Sequence, residues 1–256
     1  MEKKFLLSHG ELNTPCKLCV PDSGHIRRIV LGVHGIGGSM EDAIQAGIAE
    51  EMEIFSSATL CFDFPAHGKN LSDDFTLEGC QDTLLAVARY AREQFPEVED
   101  LCIFASGFGA YVTLSCLQGL LEMPGKIKLV VHTPSVLMHE TLLAMTRLSQ
   151  ETLRTMDHYV LRAPRPIDIT YRLYQHLQRN IVLTTHPIPM LILHGEDDNY
   201  IKMDSITQFH RINEKSKLVI IPGTSHRFLE EGAWDMVLDL TRDWFEFEQV
   251  LLSDWS

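Results

Sequence analysis

Basic residues are scarce in this chain. Its 256 residues include 22 Lys and Arg against 35 Asp and Glu, a formal net charge of −13 at pH 7. Such a field repels the phosphate backbone of nucleic acids, so we expect no nucleic-acid partner. The hydrophobic fraction, 45%, is that of an ordinary globular protein, and it excludes the disordered and fibrous classes.

Targeting and membrane signals are also missing. The first residues lead into a short strand-like run ending at Gly10, and no apolar segment with a small-residue cleavage site follows. Residues 101–121 contain no charge and are long enough to cross a membrane. Gly107 and Gly109, together with several polar residues, instead favour a buried strand followed by a buried helix. We therefore expect a cytoplasmic protein without a membrane span.

The sequence lacks the motifs of common cofactor and metal sites. Its six cysteines are expected to be reduced thiols, because no export signal is present. Cys16 and Cys19 have the spacing of a redox or zinc pair, but no second pair follows, and the alternation around them indicates a strand. Neither a phosphate-binding glycine loop nor a nicotinamide fingerprint occurs. We therefore expect neither a cofactor nor a metal ion.

Short apolar runs recur along the chain, separated by helical stretches. Runs that are apolar at consecutive positions are typical of strands buried on both faces of a parallel sheet. Amphipathic stretches at residues 76–94 and 233–252 predict packing helices. This alternation indicates an α/β fold with a mostly parallel central sheet flanked by helices. The predicted strands are residues 29–33, 59–62, 101–104, 129–132, 190–194 and 218–221.

Residues 135–186 break this alternation. They contain helical patterns at 140–156 and 169–180, with no clear strand. An insertion of this size over the carboxyl edge of a parallel sheet would lie where ligands bind. We therefore predict a helical cap, or lid, at 135–186 over a core formed by residues 1–134 and 187–256.

The composition of the predicted cap allows two interpretations. It holds six Arg and four Asp or Glu, a positive balance in an acidic chain. Either its surface is simply solvated, or Arg154, Arg162 or Arg165 attracts an anionic part of a substrate. Its apolar residues Met138 and Met145 are either core residues or part of an acyl-binding pocket.

Several local sequences follow predicted strands, where the chemistry of this architecture is found. In their order and spacing they resemble the α/β-hydrolase superfamily. The position of the cap resembles its serine aminopeptidase and esterase branch, which carries a helical lid. The resemblance extends over nearly the whole chain and implies an α/β-hydrolase fold with acyl-transfer chemistry. The segments are residues 34–38 (HGIGG), 63–68 (DFPAHG), 105–110 (ASGFGA), 194–198 (HGEDD) and 223–226 (GTSH).

The resemblance assigns an acid and a base. Asp198, three residues after Gly195, stands where the family places the carboxylate that orients the histidine. Asp197 and Glu196 are competitors for this role. His226, in a loop before the closing helix, stands where the family places the general base, and the order along the chain is that of nucleophile, acid and histidine.

The resemblance also implies an oxyanion hole. A glycine-rich turn after a strand leaves backbone N–H groups that can stabilise a developing oxyanion. By similarity, the N–H groups of Ile36 and Phe108 would form this hole. We take Gly35, together with Met138, Met145 and Arg154, as the candidates for substrate contacts.

The nucleophile position departs from the family pattern. The elbow reads small, any, nucleophile, any, small, and its third position in this chain is Gly107, which has no side chain for attack. A frame shifted to Ser106 would put Phe104 and Phe108 at the crowded small-residue positions, and Ser106 would point away from His226. Glycine reaches the positive φ of an elbow without the strain that a side chain brings.

Three hypotheses about function follow. The first is an acyl hydrolase, in the simplest case a carboxylic ester hydrolase acting on a small acyl substrate through an acyl-enzyme, here inactivated because Gly107 replaces serine. The second is a naturally non-catalytic protein of hydrolase fold that binds a small molecule. In the third, His226 activates water or a substrate without a covalent intermediate. The oligomeric state, a homodimer included, stays open.

Overall fold

An eight-stranded, mostly parallel sheet organises the chain. The structure, a computed structural model, describes residues 1–71, 73–162 and 165–253, with side chains up to residue 247. The strands are β1 (Glu2–His9), β2 (Leu12–Cys19), β3 (Arg28–Val33), β4 (Ser57–Phe62), β5 (Asp100–Ser106), β6 (Lys126–His132), β7 (His158–Leu161), β8 (Ile167–Thr170), β9 (Met190–Gly195) and β10 (Ser216–Ile221). The large sheet has the order β1-β2-β4-β3-β5-β6-β9-β10, and β7 pairs separately with β8.

Helices cover both faces of this sheet. They are α1 (Ala43–Ile54), α2 (Leu77–Gln94), α3 (Phe108–Ser115), α4 (Leu117–Leu121), α5 (Met138–Thr146), α6 (Gln150–Met156), α7 (Tyr171–Arg179), α8 (Met203–Ile212) and α9 (Ala233–Ser253). None of the helices in the described ranges is long and apolar enough to cross a membrane. The uncharged stretch 101–121 forms β5, α3 and α4, as a buried strand followed by helix.

The core lies in two layers because successive side chains of a strand point to opposite faces. Along β3, Ile29 and Leu31 belong to one hydrophobic cluster, which they share with α2 and α3. Val30 belongs to the other cluster, with α1 and α9. All six residues of β3 are buried, which explains why the strand is apolar at consecutive positions.

Parallel pairing sets the position of the functional loops. β3, β5, β6, β9 and β10 run in the same direction, whereas β1 and β2 form an antiparallel hairpin at one edge. The carboxyl ends of the parallel strands therefore lie at one edge of the sheet, the usual place for a site in this architecture.

Residues 135–186 are not purely helical. The expectation of a segment without strands is wrong, because β7 and β8 pair as an antiparallel hairpin. Each strand has only four residues, too few to give a clear alternation in the sequence. The predicted helix 140–156 is also divided, since Arg147 has a left-handed backbone with φ of 58° and Ser149 caps a new helix.

Candidate active site

A cavity of about 430 Å³ opens at the carboxyl edge of the sheet. Loops after five strands contribute to its wall: Ile36 after β3, Gly107 after β5, Thr133 after β6, Tyr200 after β9 and His226 after β10. Its volume is within the range of small-molecule sites. Residues distant in the sequence therefore meet around one open cavity.

Asp198 and His226 form a hydrogen-bonded pair at this cavity. His226 Nδ1 lies 2.7 Å from Asp198 Oδ2. The second carboxylate oxygen, Oδ1, accepts the N–H groups of Tyr200 at 2.8 Å and Ile201 at 2.9 Å. These bonds fix the carboxylate, and with Nδ1 engaged, Nε2 is the ring nitrogen left for a reacting group.

The surroundings of Asp198 keep it ionised. Its side chain is fully buried, and burial by itself raises the pKa of a carboxyl group. The hydrogen bond from His226 and the N–H groups of Ile201 and Tyr200 outweigh this effect, so the pKa of Asp198 lies below its ordinary value. Of the two competitors, Glu196 accepts the N–H of Gly223 instead, and Asp197 has no hydrogen bond to His226 within the described residues.

Gly107 lies in a turn between β5 and α3, with a positive φ that glycine adopts freely. Its φ is 52° and its ψ is −112°, and its N–H donates to the carbonyl of His132 at 2.9 Å. A Cβ added at Gly107 would meet no heavy atom within 4 Å. A side chain therefore has room at this position, and only the positive φ opposes it.

Gly109, two residues later, is a contrasting case. A Cβ added there would lie 2.4 Å from the carbonyl oxygen of His34 and 2.8 Å from that of Val33. The start of α3 thus packs directly on the backbone that follows β3, and only glycine fits. This close approach is the one that the last small position of an elbow requires, which favours the frame with Gly107 at the nucleophile position.

Ser106, the alternative nucleophile, has another partner. Its Oγ lies 3.0 Å from Nδ1 of His132. Burial, followed by the nearby His226 and His194, lowers the pKa of His132 to about 3, so that ring is neutral at physiological pH. No carboxylate is bonded to His132 within the described residues, so nothing there stabilises the imidazolium that a general base becomes.

Ile36 and Phe108 both lie in the cavity wall. The backbone N–H of neither residue donates a hydrogen bond in the part of the chain that the structure describes. Phe108 is the first residue of α3, where N–H groups are free and the helix dipole favours negative charge. Both donors can therefore serve an oxyanion.

His34 orients the turn that carries Ile36. Its Nε2 accepts the N–H of Phe64 at 3.1 Å, so Nδ1 carries the proton and donates to the carbonyl of Gly35 at 2.8 Å. Burial is the main reason that the pKa of His34 lies below its ordinary value. The neutral ring therefore connects the backbone of Phe64 to that of Gly35 and holds the turn in place, a role that the sequence motif did not reveal.

The inserted segment reaches the same turn through Arg165. Its Nη1 donates to the carbonyl of Gly37 at 3.1 Å, and its Nη2 donates to Oδ1 of Asp42 at 2.8 Å. Leu161 from the same segment contributes to the cavity wall. Residues 135–186 thus contact the site directly.

The four candidates for substrate contacts separate into two groups. Gly35 and Met145 line the cavity. Met138 does not, because it lies in the first turn of α5 facing the core, with 1% exposure. Arg154 also lies outside the wall, bonded to Glu151 at 2.7 Å on the surface of α6.

Several wall residues belong to no motif in the sequence, among them Tyr200, Arg227 and Trp234. The ring of Tyr200 stands edge-on to the ring of His226, with centroids 5.1 Å apart. Trp234 and Arg227 also line the cavity. Their only signal in the sequence was proximity to Asp198 or His226. Among the described residues, no group of three His, Cys, Asp or Glu is arranged to hold a metal ion.

Solved structures similar to this chain share its architecture. Est1E from Butyrivibrio proteoclasticus, with bound ferulic acid, has a TM-score of 0.79 and 20% identity over 96% of this chain and 99% of that one. Alpha/beta hydrolase domain-containing protein 10 from mouse has a TM-score of 0.75 and 16% identity, covering 95% of this chain and 98% of that one. An esterase domain from a Rhodothermus marinus protein has a TM-score of 0.71 and 16% identity, covering 95% and 97%.

These comparisons establish the fold. No protein-family model matches the chain, and no curated protein matches its sequence. The structural likeness identifies an α/β-hydrolase fold with a mostly parallel central sheet, which confirms the predicted fold class. Because one fold hosts many activities, the function of the chain depends on the side chains of the site.

Proposed function

We propose that this chain is an acyl hydrolase of the serine-hydrolase type in which glycine occupies the nucleophile position. The observation that carries the proposal is that His226, bonded to the buried Asp198, lines the same cavity as the glycine Gly107. The chain would bind a small acyl compound, most simply a carboxylic ester, and would form no acyl-enzyme, because Gly107 supplies no attacking atom.

A hydroxyl introduced at position 107 would complete the reaction. His226 Nε2 would remove the hydroxyl proton while the oxygen attacks the ester carbonyl carbon, and Asp198 would stabilise the imidazolium. The N–H groups of Ile36 and Phe108 would hold the oxyanion. Collapse of the tetrahedral intermediate would expel the alcohol, which takes its proton from His226, and water would then hydrolyse the acyl-enzyme by the same steps.

The wall of the cavity supports an acyl or aromatic ligand. Ile36, Phe108, Met145, Leu161 and Trp234 supply apolar surface around the elbow. Ligand sites commonly combine such a surface with a few polar groups that set orientation. The structure of Est1E holds ferulic acid, an aromatic carboxylic acid, and we propose ligands of comparable chemistry here.

The test is the Gly107→Ser variant. We expect it to hydrolyse 4-nitrophenyl butyrate at least about 10³-fold faster than the unmodified chain, since the nucleophile is the one absent part. It should also be labelled covalently by a fluorophosphonate. Gly107→Ala is the matched control, because it has the same backbone strain and no hydroxyl.

The outcome separates the hypotheses. A folded Gly107→Ser protein that is neither labelled nor active would overturn the hydrolase proposal. If the unmodified chain nevertheless bound an ester in the cavity, the naturally non-catalytic binding protein would be supported instead. The complete Asp198–His226 pair also favours testing direct activation of water, which requires slow turnover by the unmodified chain that His226→Ala abolishes.

A further inference from the structure

We propose that Arg227 forms an anion-binding subsite at the mouth of the cavity, which selects acyl compounds carrying a carboxylate beyond the reacting ester. This inference rests on the proposed function and adds to it the class of ligand. Neither the elbow pattern nor the cap composition pointed to Arg227, which lies on the loop that carries His226.

Two charged side chains of the cavity wall, Asp42 and Arg227, differ in whether they have hydrogen-bond or ion-pair partners. Asp42 is engaged by Arg165 at 2.8 Å and by the N–H of Ser39 at 2.8 Å. Arg227 is exposed and has neither a hydrogen bond nor an ion pair within the described residues. In a chain with a net charge of −13, a cation in the wall without an acidic partner is available to a ligand.

The backbone on both sides of Arg227 is held in place. His226 is bonded to Asp198, and the N–H of Phe228 donates to the carbonyl of Ser225 at 3.2 Å. Phe228 is fully buried, and its ring lies 4.4 Å from His132 and 5.7 Å from Trp234 between centroids. The subsite thus has a fixed base, and only the Arg227 side chain is free to adjust.

The chemistry of the wall indicates the ligand. A guanidinium group binds a carboxylate through two parallel hydrogen bonds. Leu229, also in the wall and 76% exposed, adds apolar surface next to it. The acidic field of the chain disfavours a dianion more than a monoanion, which favours one carboxylate over a phosphate group. The ligand class is therefore a half-ester of a dicarboxylic acid.

Binding of two matched probes to the unmodified chain tests this subsite. Monoethyl suberate carries a free carboxylate, whereas diethyl suberate has the same chain and none. By calorimetry at low salt, we expect the half-ester to bind about tenfold tighter, and the preference to shrink as salt screens the charge. Arg227→Gln should remove the preference and leave diester affinity unchanged.

The control is Arg211→Gln, which removes an exposed arginine on α8 that lies outside the cavity wall. It should retain the full preference, and both variants should keep the melting temperature of the unmodified chain. Equal affinity of the unmodified chain for the two probes, or a preference that survives Arg227→Gln, overturns the subsite. Binding of neither probe also overturns it, while fluorophosphonate labelling of Gly107→Ser would still support the hydrolase proposal.

Discussion

The two sides of the candidate site are built in different ways. On one side, the loops after β9 and β10 hold Asp198 and His226 by side-chain hydrogen bonds. On the other side, the turn after β5 presents Gly107, whose shape comes from backbone packing and includes no functional group. The comparison teaches that the geometry of this turn needs no side chain at position 107, because the close approach of Gly109 to the backbone of Val33 and His34 defines its path.

The largest expected effect is on kcat, and it tests the role of Asp198 in a protein that carries the Gly107→Ser substitution. In the Gly107→Ser background, Asp198→Asn should lower kcat by about 10⁴-fold, because it removes the charge that supports the imidazolium of His226. The measurement is ester turnover. Asp197→Asn is the control and should change the rate little. A loss of similar size in both variants would mean that His226 depends on another carboxylate.

The next effect separates two glycines of the elbow. Gly109→Ala should destabilise the fold by about 3 kcal/mol, because its Cβ would press on two carbonyl oxygens that cannot move away. Gly107→Ala should cost less, about 2 kcal/mol, from the sparsely populated backbone conformation alone. Urea unfolding measures both values. Equal costs would show that the helix does not approach β3 as closely as the structure indicates.

Acid pH should lower the stability of the fold, because histidines packed near the turn after β5 are buried in their neutral form. Burial lowers the pKa of His67, whose ring stacks on Phe108, to about 3 from an ordinary 6.5. Between these values the unfolded chain binds more protons than the folded one, so stability falls as the pH falls from about 6.5 to 3. Each such histidine contributes about 1.4 kcal/mol per pH unit.

Unfolding free energies at pH 7.5 and pH 5 check this expectation. His67→Gln should reduce the difference between the two unfolding free energies by the contribution of one histidine. His25→Gln, at an exposed position, should leave it unchanged. A stability that is constant over this interval would contradict the buried, neutral state of these rings.

The smallest expected effect concerns Arg165, which connects residues 135–186 to the turn after β3. Arg165→Gln removes the contacts to Gly37 and Asp42 that steady the turn carrying the Ile36 N–H. Because the ion pair is partly exposed, stability should change by less than about 1 kcal/mol. In the Gly107→Ser background, kcat should fall by up to about tenfold through misplacement of the oxyanion donor. Arg154→Gln, on the same segment but paired with Glu151, should leave kcat unchanged, and an equal fall would remove the special role of Arg165.

Local sequence patterns predicted the strands of the central sheet well and the structure of residues 135–186 less well. The six predicted strands all appear in the central sheet, because consecutive burial on two faces leaves an apolar run in the sequence. The hairpin of β7 and β8 was not found, since four residues are too few to show a period. The left-handed Arg147 that divides α5 from α6 has no glycine to mark it.

By itself, the sequence determined the order of the six predicted strands of the central sheet, the glycine at position 107 and the candidates for acid and base. These are local properties, because periodicity, turn residues and motif spacing lie within short windows of the chain. Only the tertiary structure decided that Asp198 rather than Glu196 reaches His226, that Met145 rather than Met138 lines the cavity, and that Arg227 stands there unpaired. Such choices depend on which side chains converge across strands far apart in sequence, and packing of the whole fold sets that convergence.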